Sequence, residues 1–281
     1  GSGLVDFEKK YPEKYFDVGI AEQHAVTLAG GMSCGGLKPI VAIYSTFLQR
    51  SYDQLIHDIV VQNLDILLAI DRAGIVGADG ETHQGIYDIS FLRILPKIVL
   101  MTPSNELEMW KMLSTGFKHT GLAAVRYPRG YSQGEDIDLD HSTIEIGKGK
   151  IIQKGSKIAY LVFGTLLNVV EKVAKRNGAT LIDMRFVKPI DEALIIDICN
   201  THDYIFTVED NVILGGAGTA VNEVMMKYSL KNNIVNIGVP DKIIPHGSQD
   251  EILSELGLDE IGIERITNNH VDEMVEITSK N

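Results

Sequence analysis

The sequence predicts an α/β chain of two domains, each a mostly parallel sheet with helices on both faces. Two observations carry this. Short runs rich in Val, Ile and Leu alternate with helix-length segments along the whole chain. A polar, acidic stretch without periodicity, YSQGEDIDLDHS at 131–142, divides the strand candidates into two equal sets.

The first set lies at 39–44, 65–71, 98–101 and 123–126, and the second at 158–163, 180–184, 204–208 and 234–237. All are short and bounded by turn residues, as buried parallel strands are. Helices are predicted over 46–61, 106–117, 166–175, 192–201 and 217–230. Ser104, after Pro103, is the expected N-cap of the second of these. The segment from 250 to 281 is charged and helical in pattern. The expected domains are therefore 1–130 and 143–281, joined by a linker at 131–142; 281 residues suit two domains of ordinary size. No internal repeat or low-complexity tract interrupts this pattern.

A hydrophobic content of 44% is ample for two cores, and no apolar run reaches the ~18 residues of a membrane span. The formal charge of −12 argues against nucleic acid or an anionic membrane as partner. It leaves room for a small anionic substrate held by local arginines. Cys34 and Cys199 make no metal-type spacing and are expected as buried apolar residues. No HExxH, nucleophile elbow or other metal cluster is present, so no metal ligand is assigned on this chain.

The candidate chemistry gathers at the carboxyl ends of the first strand set, where open α/β sheets place ligands. Glu22 stands in YFDVGIAEQH at the start of a small-residue helical segment. It is either a partly buried carboxylate matched to a ligand nitrogen or a helix-start Glu complementing the macrodipole. Tyr44 ends the first strand, with Phe47 and Arg50 just after it, and Arg72, Asp79 and His83 follow the second. Arg129 follows the fourth and lines the site, or else Arg126 and Arg129, flanking Pro128, simply pin a turn. Converging, these residues form an arginine-lined pocket suited to a phosphorylated substrate, because guanidinium forks match phosphate oxygens. Phe47 is a core residue or a platform for a flat heterocycle. His24 sits two residues beyond Glu22, and the other six histidines have no supporting context. In the second half, GGAG at 215–218 opens a helix. It reads either as a weak anion cradle or as close helix–sheet packing, and packing is the preferred reading.

The runs YFDVGIAEQHAV, KPIVAIYSTFLQRSYDQ, AIDRAGIVGADGETHQG, MTPS, AVRYPRG, DMRFVKP, VEDN and GVPD occur in order over nearly the whole chain. Together they resemble the 1-deoxy-D-xylulose-5-phosphate synthases, a thiamine-diphosphate family of the transketolase superfamily. The order YSTFLQR, DRAGIVGADG, THQG is specific to that family within the superfamily.

The resemblance implies a pyrimidine-binding domain followed by a transketolase-type C-terminal domain. The family's N-terminal domain, with its GDG…N motif for Mg²⁺ and the cofactor diphosphate, has no counterpart here. The family pattern continues into Gly1-Ser2-Gly3, so the chain reads as a piece of a longer enzyme or one subunit of a split one, inactive alone. The resemblance further implies condensation of pyruvate with D-glyceraldehyde 3-phosphate, with loss of CO₂, for the non-mevalonate isoprenoid route and thiamine biosynthesis. It implies a homodimer in the bacterial cytoplasm or in a plastid.

By matching position, Glu22 pairs with the aminopyrimidine ring, where a shared proton favours the imino tautomer that activates the cofactor. Phe47 stacks on that ring. Tyr44, Arg50, Arg72, Asp79 and Arg129 line the acceptor-substrate site, and His83 handles protons or binds an intermediate. Two other readings stand beside this one: a transketolase-like or 2-oxo-acid dehydrogenase β-type subunit, and a non-catalytic fragment that dimerises or regulates.

Overall fold

The computed structural model describes residues 3–130 and 141–279; most of the expected linker therefore lies outside the described residues. In the first half, α1 (Val5–Lys10) and α2 (Glu22–Cys34) precede β1 (Ile40–Tyr44). A continuous but uneven helical run follows: α3 (Ser45–Leu48), a 3₁₀ turn (Gln49–Ser51), α4 (Tyr52–Gln54) and a π-helical segment (Leu55–Val60). Then come β2 (Leu67–Asp71), α5 (Asp88–Leu92), β3 (Val99–Met101), α6 (Glu106–Lys118) and β4 (Ala123–Arg126).

The second half holds β5 (Lys150–Gln153), β6 (Lys157–Phe163), α7 (Leu167–Asn177), β7 (Thr180–Asp183) and β8 (Phe186–Lys188). It continues with α8 (Glu192–Thr201), β9 (His202–Val212), α9 (Ala217–Lys227) and β10 (Asn233–Val239), and closes with α10 (Gln249–Glu255) and α11 (Glu260–Ser279). Among the described residues no helix is long and apolar enough to cross a membrane.

The strands form two five-stranded sheets, ordered β1-β2-β4-β3-β8 and β10-β9-β6-β7-β5. Pairing is parallel except at β3–β8 and β5–β7. All eight expected strands form, with ends shifted by a few residues. The two that sequence reading missed, β5 and β8, are the antiparallel edges. They are only four and three residues long, and β5 is largely exposed, so neither shows the apolar run of a central strand. Central strands are fully buried: Leu67, Leu68 and Ile70 on β2, and Tyr160 to Phe163 on β6. Each such apolar side chain contributes about 1.5–3 kcal/mol on burial.

Strand β8 belongs to the second half in sequence but to the first sheet in space. Leu100 pairs with Lys188 and Met101 with Phe186, and Phe186 is fully buried in the first sheet's core. Lys188 Nζ donates to the carbonyls of Arg93 (2.9 Å) and Leu95 (2.7 Å), just past α5. These are orphan acceptors at a helix end, where a cation also suits the dipole. Conversely, Ile75 and Ile86, after β2, pack in the second half's core with Ile244 and Ile252. Each half thus holds a piece of the other.

Two expectations need correction. The N-cap of α6 is Asn105, whose side chain accepts from the Glu108 amide at 2.9 Å. Ser104 instead is buried and donates to the Asp183 carboxylate at 2.6 Å, a tie between the halves. Of the cysteines, Cys199 is buried but Cys34 is exposed, because it falls at the end of α2 on the solvent side.

Candidate active site

Strands β1, β2 and β4 are neighbours and parallel, so their carboxyl ends open on one rim, with Tyr44 in register with Asp71. The chain leaves β2 through Arg72 in the left-handed region (φ 55°), a conformation that costs an L-residue about 1–2 kcal/mol. Several contacts hold it there. The Asp71 carboxylate accepts from the Arg72 amide at 2.6 Å and pairs with its guanidinium, and the Ala73 amide donates to the Tyr127 carbonyl at 2.9 Å. Burial, with Asp71 beside it, pushes the Tyr127 phenol up to about 12, so it is a neutral wall at physiological pH.

From Glu22 to Arg129 the candidate residues form one unbroken series of contacts. Glu22 opens α2; its side chain is 13% exposed and its Oε1 lies 3.4 Å from Arg50 Nη1. The Arg50 guanidinium sits 5.4 Å from the Phe47 ring centroid. Phe47 stacks on Tyr44 with centroids 5.5 Å apart and 13° between planes, and meets His83 edge-on at 5.3 Å. Tyr44 in turn carries the Arg72 guanidinium 3.9 Å above its ring. Arg72 Nε is 3.6 Å from Asp79 Oδ2, and Asp79 Oδ1 is 3.0 Å from Arg129 Nη1.

The arginines differ in freedom. Arg72 is 17% exposed and committed to two carboxylates and a ring. Arg50 and Arg129 are 59% and 46% exposed, so their guanidinium edges remain available to an anion. Asp79 and His83 ride on two successive 3₁₀ turns, Gly77–Asp79 and Glu81–His83. Gly80 joins them at φ 86°, ψ −178°, a conformation essentially restricted to glycine. His83 Nδ1 lies 3.0 Å from the Thr82 hydroxyl, and Thr46 Oγ1 donates to the Thr82 carbonyl at 2.9 Å. That arrangement leaves His83 Nε2 without a partner among the described residues.

His24 is exposed, and among the described residues no hydrogen bond, ion pair or ring contact ties it to this series. Sequence reading passed over Asp71, Thr82 and Tyr127, although Asp71 stands beside Arg72 in the same motif. Arg126 does not line the rim at all. It is 3% exposed, donates through Nε to Asp88 (2.9 Å) and through Nη1 to Asp210 (2.5 Å), and locks the two halves together.

The GGAG segment is filled from within. The Ala217 and Gly218 amides at the start of α9 donate to the two oxygens of Glu209, at 2.7 and 2.8 Å. A Cβ at Gly216 would overlap that carboxylate, and one at Gly218 would overlap Thr207 and crowd Asn236. Close packing thus accounts for these glycines, and the amides of the helix start are taken up by the chain's own Glu209 carboxyl. Among the described residues no three His, Cys, Asp or Glu side chains come together as a metal site.

Residues 1–133 match the pyrimidine-binding domain of transketolase, and residues 147–263 match the transketolase C-terminal domain. A 1-deoxy-D-xylulose-5-phosphate synthase of Vibrio campbellii is 56% identical over 271 residues, 96% of this chain and 44% of that protein. One from Pseudomonas fluorescens is 56% identical over 264 residues, 94% of this chain and 42% of that protein. The chain thus spans less than half the length of these relatives. Among solved structures, a split-gene transketolase described as an inactive β4 tetramer superposes with a TM-score of 0.86 at 25% identity. It covers 95% of this chain and 88% of that one. Transketolase from Campylobacter jejuni shares the fold, with a TM-score of 0.70 at 14% identity over 90% of this chain and 39% of that one.

Proposed function

The chain belongs to the transketolase family, carrying its pyrimidine-binding and C-terminal domains, and from that premise we propose that it supplies the pyrimidine and acceptor side of a thiamine-diphosphate-dependent 1-deoxy-D-xylulose-5-phosphate synthase. One observation carries the reading. The residues expected to touch cofactor and substrate, Glu22, Phe47, Tyr44, His83, Arg50, Arg72, Asp79 and Arg129, form a single contacting series on one rim.

The residues fit an aminopyrimidine. Glu22 offers a mostly buried carboxylate that Arg50 engages through Oε1 at 3.4 Å, which leaves Oε2 to share a proton with a ring nitrogen. Phe47 offers an aromatic platform braced by Tyr44. When bound, thiamine diphosphate supplies the carbanion chemistry that decarboxylates pyruvate. Glu22 holds the ring in the tautomer this requires. Arg50 and Arg129 bind the anionic ends of pyruvate and D-glyceraldehyde 3-phosphate. Asp79 fixes the angle of Arg129 against Arg72, and His83 carries a proton at Nε2. The diphosphate and Mg²⁺ are held by residues beyond these 281, and the assembly is a homodimer.

A second reading has a specific observation behind it: the split-gene transketolase matches nearly the same extent of chain. In that reading this chain is the β-type subunit of a two-carbon transferase. The 56% identity to the synthases, against 25% to that subunit, favours the synthase. The deciding experiment supplies pyruvate, D-glyceraldehyde 3-phosphate, thiamine diphosphate and Mg²⁺ to this chain joined to the remaining length of its relatives. The synthase releases CO₂ and forms a five-carbon ketose phosphate. Two-carbon transfer without CO₂ would overturn it.

A further inference from the structure

The loop that presents Asp79 and His83 is not held by the first half alone. Its first turn lies against the segment that starts α10, in the second half. Gly77 (φ 63°) approaches so closely that a Cβ there would overlap the Gln249 backbone and touch the Gly247 carbonyl. Gln249 Nε2 donates to the Ile75 carbonyl at 2.7 Å. Gln249 is itself fixed. It is the first residue of α10, whose capping box ties Ser248 to Glu251 by hydrogen bonds in both directions. The far end of the loop closes on its own near end. The Val76 amide donates to Gln84 Oε1 at 3.0 Å, and Gly74 and Gly85 exchange backbone hydrogen bonds at 2.7 and 2.9 Å. Ile75 and Ile86 are then buried in the second half's core.

Asp79 sits two residues beyond Gly77, and it is the carboxylate that spaces Arg72 from Arg129. We infer that Gln249 is a positioning residue: by holding the Ile75–Gly77 backbone it sets where Asp79 stands, and hence the separation of the two guanidinium groups that grip an anionic substrate. The second half thereby takes part in substrate affinity without touching substrate. This rests on the arginine-lined site proposed above.

The test uses the 281-residue chain and Gln249→Glu, which keeps the shape but replaces the donating amide with an acceptor. It also uses Gln249→Lys, which restores a donor. Two quantities are measured: hydrogen exchange of the amides from 76 to 83, and affinity for inorganic phosphate by calorimetry, with thermal melting as the control for folding. The inference expects faster exchange in that loop and about tenfold weaker phosphate binding in Gln249→Glu, the scale of one lost hydrogen bond. Both are substantially regained in Gln249→Lys at a similar melting temperature. Unchanged loop exchange in Gln249→Glu would overturn the inference, and so would unchanged phosphate affinity despite faster exchange. If the unsubstituted chain and both variants bind no phosphate, the arginine-site reading itself falls, and this inference with it. Retained affinity in Gln249→Glu overturns the inference alone.

Discussion

Arg126, at the end of β4, donates from Nη1 to Asp210 on β9 at 2.5 Å, with both residues more than 90% buried. Burial works against the Arg126 charge, but Asp210 and Asp88 outweigh it and raise its pKa. The pair sits at the seam between the halves, and Arg126 Nε also serves Asp88. Replacing Arg126 with Met leaves two carboxylates buried without a counter-charge. The expected cost is about 3–5 kcal/mol in denaturant unfolding. Adding Asp88→Asn and Asp210→Asn should restore part of it. A single substitution costing less than about 1 kcal/mol would show that water replaces the guanidinium.

Glu209 gives the chain a pH dependence of known sign. Burial, only partly offset by the Gly218 and Ala217 amides, pushes its carboxyl up from 4.5 to about 8. Between those values the folded chain keeps a proton that the unfolded chain releases. Stability therefore falls as pH rises through this window and levels off above it. Asp183, raised by burial to about 6, acts with the same sign but finishes at lower pH. Melting temperatures from pH 6 to 8 should fall for the native chain, and the slope should be shallower in Glu209→Gln. Equal slopes would mean that Glu209 is ionised throughout.

Glu22→Gln should leave the fold intact, since among the described residues its ion-pair partner is the exposed Arg50, at 3.4 Å. On the synthase reading proposed above, it should lower the turnover of the complete enzyme by orders of magnitude, because an amide cannot pass a proton to the cofactor ring. Steady-state kinetics beside a melting curve check this, and near-normal turnover would remove Glu22 from the mechanism.

Arg129→Ala removes a half-exposed guanidinium whose ion-pair partner, among the described residues, is Asp79. A charged hydrogen bond is worth about 1.5–3 kcal/mol, so on the proposed synthase reading the KM for D-glyceraldehyde 3-phosphate should rise by about ten- to a hundredfold. The KM for pyruvate should move less. Equal rises for both substrates would assign Arg129 to pyruvate as well.

The sheets and the rim were legible in the sequence because both depend on local signals. Buried parallel strands are continuous apolar runs, and Glu22, Tyr44, Phe47, Arg50, Arg72, Asp79, His83 and Arg129 sit in motifs at or near the rim. What stayed hidden depends on partners distant in sequence. Arg126 reads as a turn residue until Asp210, 84 positions away, is seen beside it. Ser104 reads as a cap because its true acceptor, Asp183, is 79 positions off. Phe186 to Lys188 is too short a run to announce a strand, and only the edge of β3 makes it one.

The exchange of β8 for the Ile75–Ile86 loop also bears on how such chains are inherited. A chimera that joined the first half of one relative to the second half of another would receive a foreign strand at a sheet edge. It would receive, in the same cut, a foreign bed beneath the loop of Asp79. The two modules are therefore expected to change together, and a crossover placed at their boundary would need matched substitutions on both sides to give a working descendant.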